Sequence, residues 1–339
     1  MKNLLIKDTS FLIAILLLLA SCSGNEPEPA PTPDVIPNGK VITPPAVARI
    51  PGLNVNNFPI IDGSDSTQPL RTMLAASLTG FSCWWGSNLV LIDGSRSLHL
   101  YHTSTNKTEI QTLYTKLKES NTHPSFNNLI DGKVEIIISA RESSDDEQKY
   151  AREKGVTLIE KPIAFDSFAF LVNRANSVDN LTHEQVVGIY SGKYTNWREV
   201  GGADQPIKAF TRNRNSGSQE KMEKLVMKGI PMIDAPELRG GSMMAPYLSL
   251  MTSVNGIGYS PYYYYLNMSE SAEEVKALSI NGVPPSREYI QNQTYPYVSA
   301  IVAVIRSDTP TGSNARKIFD FLTTADGKKV IEASGYVAN

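Results

Sequence analysis

Three times in this chain an apolar, strand-type run ends in a short loop of hydroxyl side chains, and a helix-forming run follows. Phe58-Pro59-Ile60-Ile61 leads through Asp62-Gly63-Ser64-Asp65-Ser66-Thr67 into Arg71 to Leu78. Val134-Glu135-Ile136-Ile137-Ile138 ends in Ser139-Ala140-Arg141. Arg212-Asn213-Arg214-Asn215-Ser216-Gly217-Ser218-Gln219 runs straight into Glu220 to Lys228. Such alternation commits the chain to an α/β architecture built mainly from parallel strands with helices on both faces. In open sheets of that kind, ligands sit beyond the carboxyl ends of the strands.

The third loop suits a buried oxyanion. Free backbone N–H groups at a helix N-terminus point toward an anion, and the helix dipole favours its charge. Gly217 lets the backbone approach closely, Ser216 and Ser218 add donors, and Arg212 offers a two-pronged fork to a tetrahedral anion. The same Ser-Gly-Ser is also an ordinary helix cap. The loops at Ser66-Thr67 and at Ser139 and Arg141 carry matching chemistry, which favours the anion reading.

With 339 residues, 41% of them hydrophobic, the chain can bury a large core, and the length suggests about two domains. A net charge of −2, with lysines and arginines scattered, gives no support to nucleic-acid binding. Lys2 and Lys7 precede an apolar run from Phe11 to Leu19, too short for an ordinary membrane span, and then Leu19-Ala20-Ser21-Cys22. This N-terminus reads as an export signal. Leu-Ala-Ser-Cys resembles a bacterial lipobox, which implies cleavage before Cys22 and a lipid on its thiol. Cys83 would then be left unpaired, next to Trp84 and Trp85, as a packed residue. Residues 23–51 are rich in proline and read as a polyproline-type tether.

From Val55 onward, strands are expected near 58–62, 89–92, 97–102, 134–139, 156–160, 166–172, 207–210, 257–260 and 298–305. Helices are expected near 67–79, 108–119, 124–131, 145–154, 182–190, 217–228, 243–253, 270–278 and 312–324. Thr182 to Gln185 forms a capping box. No catalytic constellation stands out. His99 and His102 fall on opposite faces of a strand, a poor metal pair. No Gly-x-Ser-x-Gly turn surrounds a serine. His123 adjoins Thr122 without a visible partner for general-base work. Asp145-Asp146-Glu147 reads as a solvated helix start. His183 is expected to be exposed. Tyr262 to Tyr265 read as a partly buried helix edge, and Trp197 as core.

Several segments together resemble the phosphate-binding proteins of ABC transporters (PstS-like). They are Gly63 to Leu70, G-S-D-S-T-Q-P-L; Leu129 to Arg141, L-I-D-G-K-V-E-I-I-I-S-A-R; and Pro162 to Asn173, P-I-A-F-D-S-F-A-F-L-V-N. Leu181 to Trp197, L-T-H-E-Q-V-V-G-I-Y-S-G-K-Y-T-N-W, is the most specific match, and Arg212 to Ser218 and Gly256 to Ser260 complete the order. The resemblance implies a two-lobed, type II periplasmic binding protein fold with a two-segment hinge. Lobe one would be 52–163 plus 295–339, and lobe two 164–294. The crossings would lie near Lys161 to Asp166 and Tyr295 to Ser299.

Carried across position by position, the resemblance implies anion contacts from Ser66, Thr67, Thr122, Ser139, Arg141, Arg212, Ser216, Gly217 and Ser218. It implies no cofactor, no metal and no enzyme activity. The expected protein is a monomeric exported lipoprotein that passes phosphate, or a similar oxyanion, to a transporter permease. A surface sensory or interaction lipoprotein of the same fold, with another anion or no transporter, is the alternative. The chain departs from the family at Ala140, where many relatives have an aspartate, and at Gln68, where many have an aromatic. Asp65 is the nearest substitute carboxylate for selecting a protonated anion. Its other reading is a solvent-facing helix cap.

Overall fold

The computed structural model describes residues 40–87, 94–234, 239–270 and 273–339. The signal, Cys22, residues 23–39 of the tether and the strand expected at 89–92 lie outside the described residues. Residues 40–51, also assigned to the tether, lie against the body. Ile42 and Cys83 exchange backbone hydrogen bonds at 2.7 and 2.8 Å. Ala48 N–H donates to Asp326 Oδ2 at 2.8 Å, and Ile50 is buried in the core.

In chain order the elements are β1 (Ile61–Gly63), α1 (Gln68–Thr79), β2 (Cys83–Ser87), β3 (Arg96–Leu100), α2 (Lys107–Lys116), α3 (Thr122–Ile130), β4 (Ile136–Ser139) and α4 (Asp145–Glu153). Then come β5 (Leu158–Asn173), β6 (Asn180–Leu181), α5 (His183–Tyr190), β7 (Lys208–Ala209), β8 (Thr211–Arg212), α6 (Gly217–Lys221), β9 (Arg239–Gly240), α7 (Ala245–Met251) and β10 (Gly256–Pro261). The chain ends with β11 (Val275–Ala277), β12 (Ser279–Ile280), α8 (Arg287–Gln291), β13 (Val298–Arg306), α9 (Asn314–Phe321), α10 (Ala325–Ser334) and β14 (Val337–Ala338). Among the described residues no helix is long and apolar enough to cross a membrane.

The main sheet runs β1-β4-β13-β5-β10-β7, with β11 and β14 also paired to β5. Parallel pairing, as strand–helix–strand units require, joins β1 to β4 and β10 to β7. The antiparallel pairings come from β5 and β13, the long strands that run side by side through the middle of the sheet. Their register extends from Ser167 opposite Val298 to Leu158 opposite Arg306. The sequence reading expects two strands here, near 156–160 and 166–172, with Pro162 between them. The structure keeps one strand by shifting register between Ile301 and Val302, opposite Ala164 and Pro162. A bulge tolerates a residue that has no N–H to give.

Two large apolar cores flank this ribbon. The first contains Ile61, Leu70, Leu74, Ile136, Ile138, Ile301, Ile318, Val330 and Tyr336, and takes in Tyr247 and Met268 as well. The second contains Phe168, Phe170, Val186, Tyr190, Trp197, Ile257, Tyr259 and Tyr295. Helix α1 is buried from Gln68 to Leu78, packed between α10 and the β2–β3 hairpin. It stops at Gly80, whose φ of 88° favours glycine.

Several local readings change in the structure. The helix expected at 270–278 is strand β11 within its described part. Val275 faces the core, and the segment pairs with Leu171 to Asn173 of β5, whose free edge supplies the ladder. Helix α10 follows the last expected helix directly, capped by Thr324 and ended by Gly335. The helix expected over 217–228 is α-helical only to Lys221 and then widens to a π-helical turn, Met222–Met227. Thr182 and Gln185 do form a capping box, and Trp197 lies in the second core. His183 is half-buried and bonded to the Tyr297 hydroxyl at 2.8 Å. Cys83 is fully buried, and burial pushes its thiol up to about 12.

Candidate functional site

The turn after β1 is built by exclusion. A Cβ on Gly63 would sit 2.0 Å from the Ile138 carbonyl, so only glycine lets β1 and β4 end this close together. Ser64 follows, and its Oγ accepts the Ala140 N–H at 2.9 Å and meets Thr122 Oγ1 at 2.8 Å. Three loops, after β1, before α3 and after β4, are thus tied at one point. Beneath them lies Arg71, buried, with Nη1 donating to the Ser64 carbonyl and Thr67 Oγ1 at 2.8 and 2.6 Å.

From the second-core side, β8 and the loop into α6 face this point. Asn215 takes a φ of 65°, turning the chain so that Ser216 caps α6 by accepting the Gln219 N–H at 3.1 Å. Gly217 meets Thr122 closely, since a Cβ there would lie 2.6 Å from Thr122 Oγ1. Between the loops is a cavity of about 340 Å³. Its walls include Ser64, Asp65, Ser66, Thr122, Arg212, Ser216, Gly217, Ser218 and Lys221.

The helix starts at Ser66, Thr122 and Ser216 to Ser218 all open on this cavity, so the positive ends of three helix dipoles converge there. Arg212 is 5% exposed. Its Nε donates to the Gly240 carbonyl at 3.1 Å and its Nη1 approaches Met243 Sδ at 3.3 Å. Among the described residues no carboxylate lies within ion-pair distance of it. Burial pulls its pKa below the usual arginine value, while Tyr259 and Asp65 oppose that. A buried guanidinium without a counter-ion is costly, and an anion in the cavity would relieve the cost.

Asp65 is the cavity's own negative group. It caps no helix: the turn Asp65–Thr67 is capped at Ser64, and no side chain caps α1. The Asn121 amide, in the orientation that suits its neighbours, brings its nitrogen within 2.9 and 2.6 Å of the two carboxylate oxygens. Desolvation, then Glu119, push the Asp65 pKa up to about 6, against Arg71 and Arg212.

Three expected contacts point elsewhere. The Thr67 hydroxyl is spent within the fold, within donating reach of the Ser64 and Ile138 carbonyls at 2.8 and 2.7 Å. Ser139 is fully buried and donates to the Arg141 carbonyl at 2.7 Å. Arg141 grips Glu147 with both terminal nitrogens at 2.8 Å. Glu147 itself is a correction to the solvated-helix reading. It is fully buried, forms a capping box with Ser144 on α4, and accepts from or pairs with His123 Nδ1 at 2.9 Å. His123 lines the cavity wall, held by this bond and by Asn127 at 3.2 Å.

The model of the PBP superfamily domain matches residues 90–325. The chain belongs to the PBP superfamily. Among curated relatives, the phosphate-binding protein PstS of Staphylococcus epidermidis is 28% identical over 226 residues, covering 65% of this chain and 69% of its own. Its counterpart in Staphylococcus aureus is 27% identical over 225 residues, covering 65% and 68%. The crystal structure of an ABC-type phosphate transport receptor from Vibrio cholerae superposes with a TM-score of 0.56 at 26% identity, covering 82% of this chain and 98% of that one.

As a PBP-superfamily member, the chain has the type II α/β fold expected from its sequence. Within that fold, sequence reading missed Ser64, Asn121 and Lys221 at the cavity. Ser64 stands two residues before Ser66, in the same loop. Lys221 stands three residues after Ser218, which puts both on one face of α6.

Proposed function

We propose that this protein is an extracytoplasmic lipoprotein, anchored through Cys22, that binds inorganic phosphate for delivery to an ABC-transporter permease. The observation that carries the reading is the buried Arg212, without a carboxylate partner among the described residues, at the cavity where three helix N-termini meet. Ser66, Thr122, Ser216, Gly217 and Ser218 supply hydroxyl and backbone donors around it. Thr67, Ser139 and Arg141 hold the loops rather than the ligand. The cavity would lie between lobes 52–163 plus 295–339 and 164–294, with β5 and β13 as the hinge. Lobe closure would expel water and strengthen each charge-assisted bond.

Asp65 supplies selectivity. At neutral pH phosphate keeps a proton and sulfate has none, so a fixed carboxylate accepts the phosphate O–H and repels sulfate. The test is calorimetry of ligand-free protein with phosphate, arsenate, sulfate and small carboxylates. Phosphate at one hundred times its Kd should add about 2.7 kcal/mol of stability. Absence of binding to phosphate would end this reading. Cys22→Ala should abolish acylation as read by intact mass, and an unacylated wild type would remove the anchor from it.

A further inference from the structure

Lys221 is buried, 5% exposed, and lines the cavity one turn along α6 from Ser218. Its ammonium donates to the Ser299 hydroxyl of β13 at 2.8 Å, a single neutral acceptor. An ammonium has three donors. Among the described residues no carboxylate lies within ion-pair distance of it. Asp166, the register partner of Ser299 across the ribbon, is the carboxylate whose charge acts on Lys221. Its Oδ1 is taken by the Tyr263 and Ser167 N–H groups at 3.0 and 2.7 Å, and its Oδ2 is buried without a partner. A buried cation and a buried carboxylate thus stand near one another without forming a pair.

The cavity's charge count shows what Lys221 adds. Of the buried groups, Arg212 and an ionised Asp65 cancel, and Arg214, also in the wall, is exposed and faces Asp146 at 3.9 Å. Lys221 leaves the buried groups with one net positive charge facing the ligand. Resting on the phosphate reading above, we propose that Lys221 is a second cationic anchor of the site, contacting the oxyanion directly and setting a preference for a phosphate dianion over monoanions. The groups that face it are Asp166 on β5, Arg141 after β4, and Arg212 and Asp65 across the cavity. Lys221 also borders a second groove, shared with its partner Ser299 and with Arg141, Glu142, Glu220 and Lys224. Burial pulls the Lys221 pKa down to about 8, with Asp166 raising it and Arg141 lowering it further. An anion beside it would hold the proton on. Affinity should therefore fall as pH rises above about 8, by up to about tenfold per unit, although phosphate stays dianionic there.

The experiment is calorimetric titration of ligand-free protein with inorganic phosphate from pH 7 to pH 9.5. Lys221→Met should weaken binding about ten- to a hundredfold at pH 7 and lose the alkaline fall. Asp166→Asn keeps the acceptor for the two backbone N–H groups and removes a competing anion, so it should tighten phosphate binding. If Lys221 merely balances Asp166, Lys221→Met will lower stability and leave affinity intact, and that result overturns the proposal. If Lys221→Met does not fold, a wild-type affinity that is flat from pH 7 to pH 9.5, or an Asp166→Asn variant with unchanged affinity, overturns it equally. Wild-type binding with an unaffected Lys221→Met sinks this inference alone. No phosphate binding by wild type sinks the proposed function and this inference with it.

Discussion

Arg141 and Arg212 both end strand edges, both are buried, and both read from sequence as anion ligands. Their surroundings differ. Arg141 sits over the Phe126 ring, with its centre 5.5 Å from the ring centroid, and forms a two-bond pair with the buried Glu147. Arg212 has a carbonyl, a thioether and an open cavity. The first is a closed ion pair whose removal strands a partner. The second has no carboxylate within ion-pair distance among the described residues, which is why the proposed site is built on it. A buried arginine is thus a ligand group only when the fold has not already supplied its counter-ion.

The largest effect expected from this contrast is on stability. Arg141→Ala leaves Glu147 buried with only His123 and the Ser144 N–H nearby, and should cost about 3–5 kcal/mol in urea unfolding. Phosphate affinity of the folded protein should stay within a few-fold. A variant that unfolds normally but loses phosphate would reverse the assignment. Arg212→Ala should do the opposite, weakening phosphate about a hundredfold, equivalent to about 2.7 kcal/mol, with little loss of ligand-free stability. Unchanged affinity there would move the site away from β8.

A smaller effect is expected where the two sides touch. Gly217→Ala places a methyl 2.6 Å from Thr122 Oγ1, and the loops must part to admit it. Phosphate affinity should drop by about tenfold, in line with overpacking costs of 1–3 kcal/mol. Normal affinity would mean that Thr122 and Gly217 do not meet in the bound state.

The smallest effect concerns Asp65. Its folded-state pKa of about 6 lies above the ordinary 3.8. Ionisation is therefore penalised by folding. The group adds stability below about pH 4 and loses that contribution as pH rises through 6. Asp65→Asn should flatten part of the fall in ligand-free melting temperature between pH 4 and pH 6. Asp166, also raised to about 6 by burial, keeps the remainder. The same variant should gain sulfate binding. A melting profile identical to wild type would show that Asp65 faces water.

The architecture was legible because strand and helix periods are local. Ile136 to Ser139, Thr182 to Tyr190 and Val298 to Arg306 declare themselves by their own residues. What escaped reading depends on partners distant in sequence. β11 has no strand pattern strong enough to announce it and exists because β5 offers an edge. Glu147 looks solvated beside Asp145 and Asp146 until Arg141 and His123 are placed against it. The hydroxyls of Thr67 and Ser139 match the anion chemistry by type, but their directions follow from the close packing of β1 on β4 at Gly63. Lys221 could have been found by counting one turn on from Ser218.

The interleaving of the two cores also sets an order of assembly. The second core draws its buried members from Phe168 to Tyr297, one unbroken stretch. The first needs Ile61 and Ile138 from early in the chain and Ile301, Val330 and Tyr336 from its end. A nascent or threading polypeptide can therefore complete the later half while the earlier half still waits for its last strand and helices. Until β13 arrives, residues 158–167 of β5 lack the neighbour that pairs with them along their length, and present a bare strand edge. A chain stalled short of residue 298 would carry a finished half and a sticky one, and would need a holdase or a protease to deal with it.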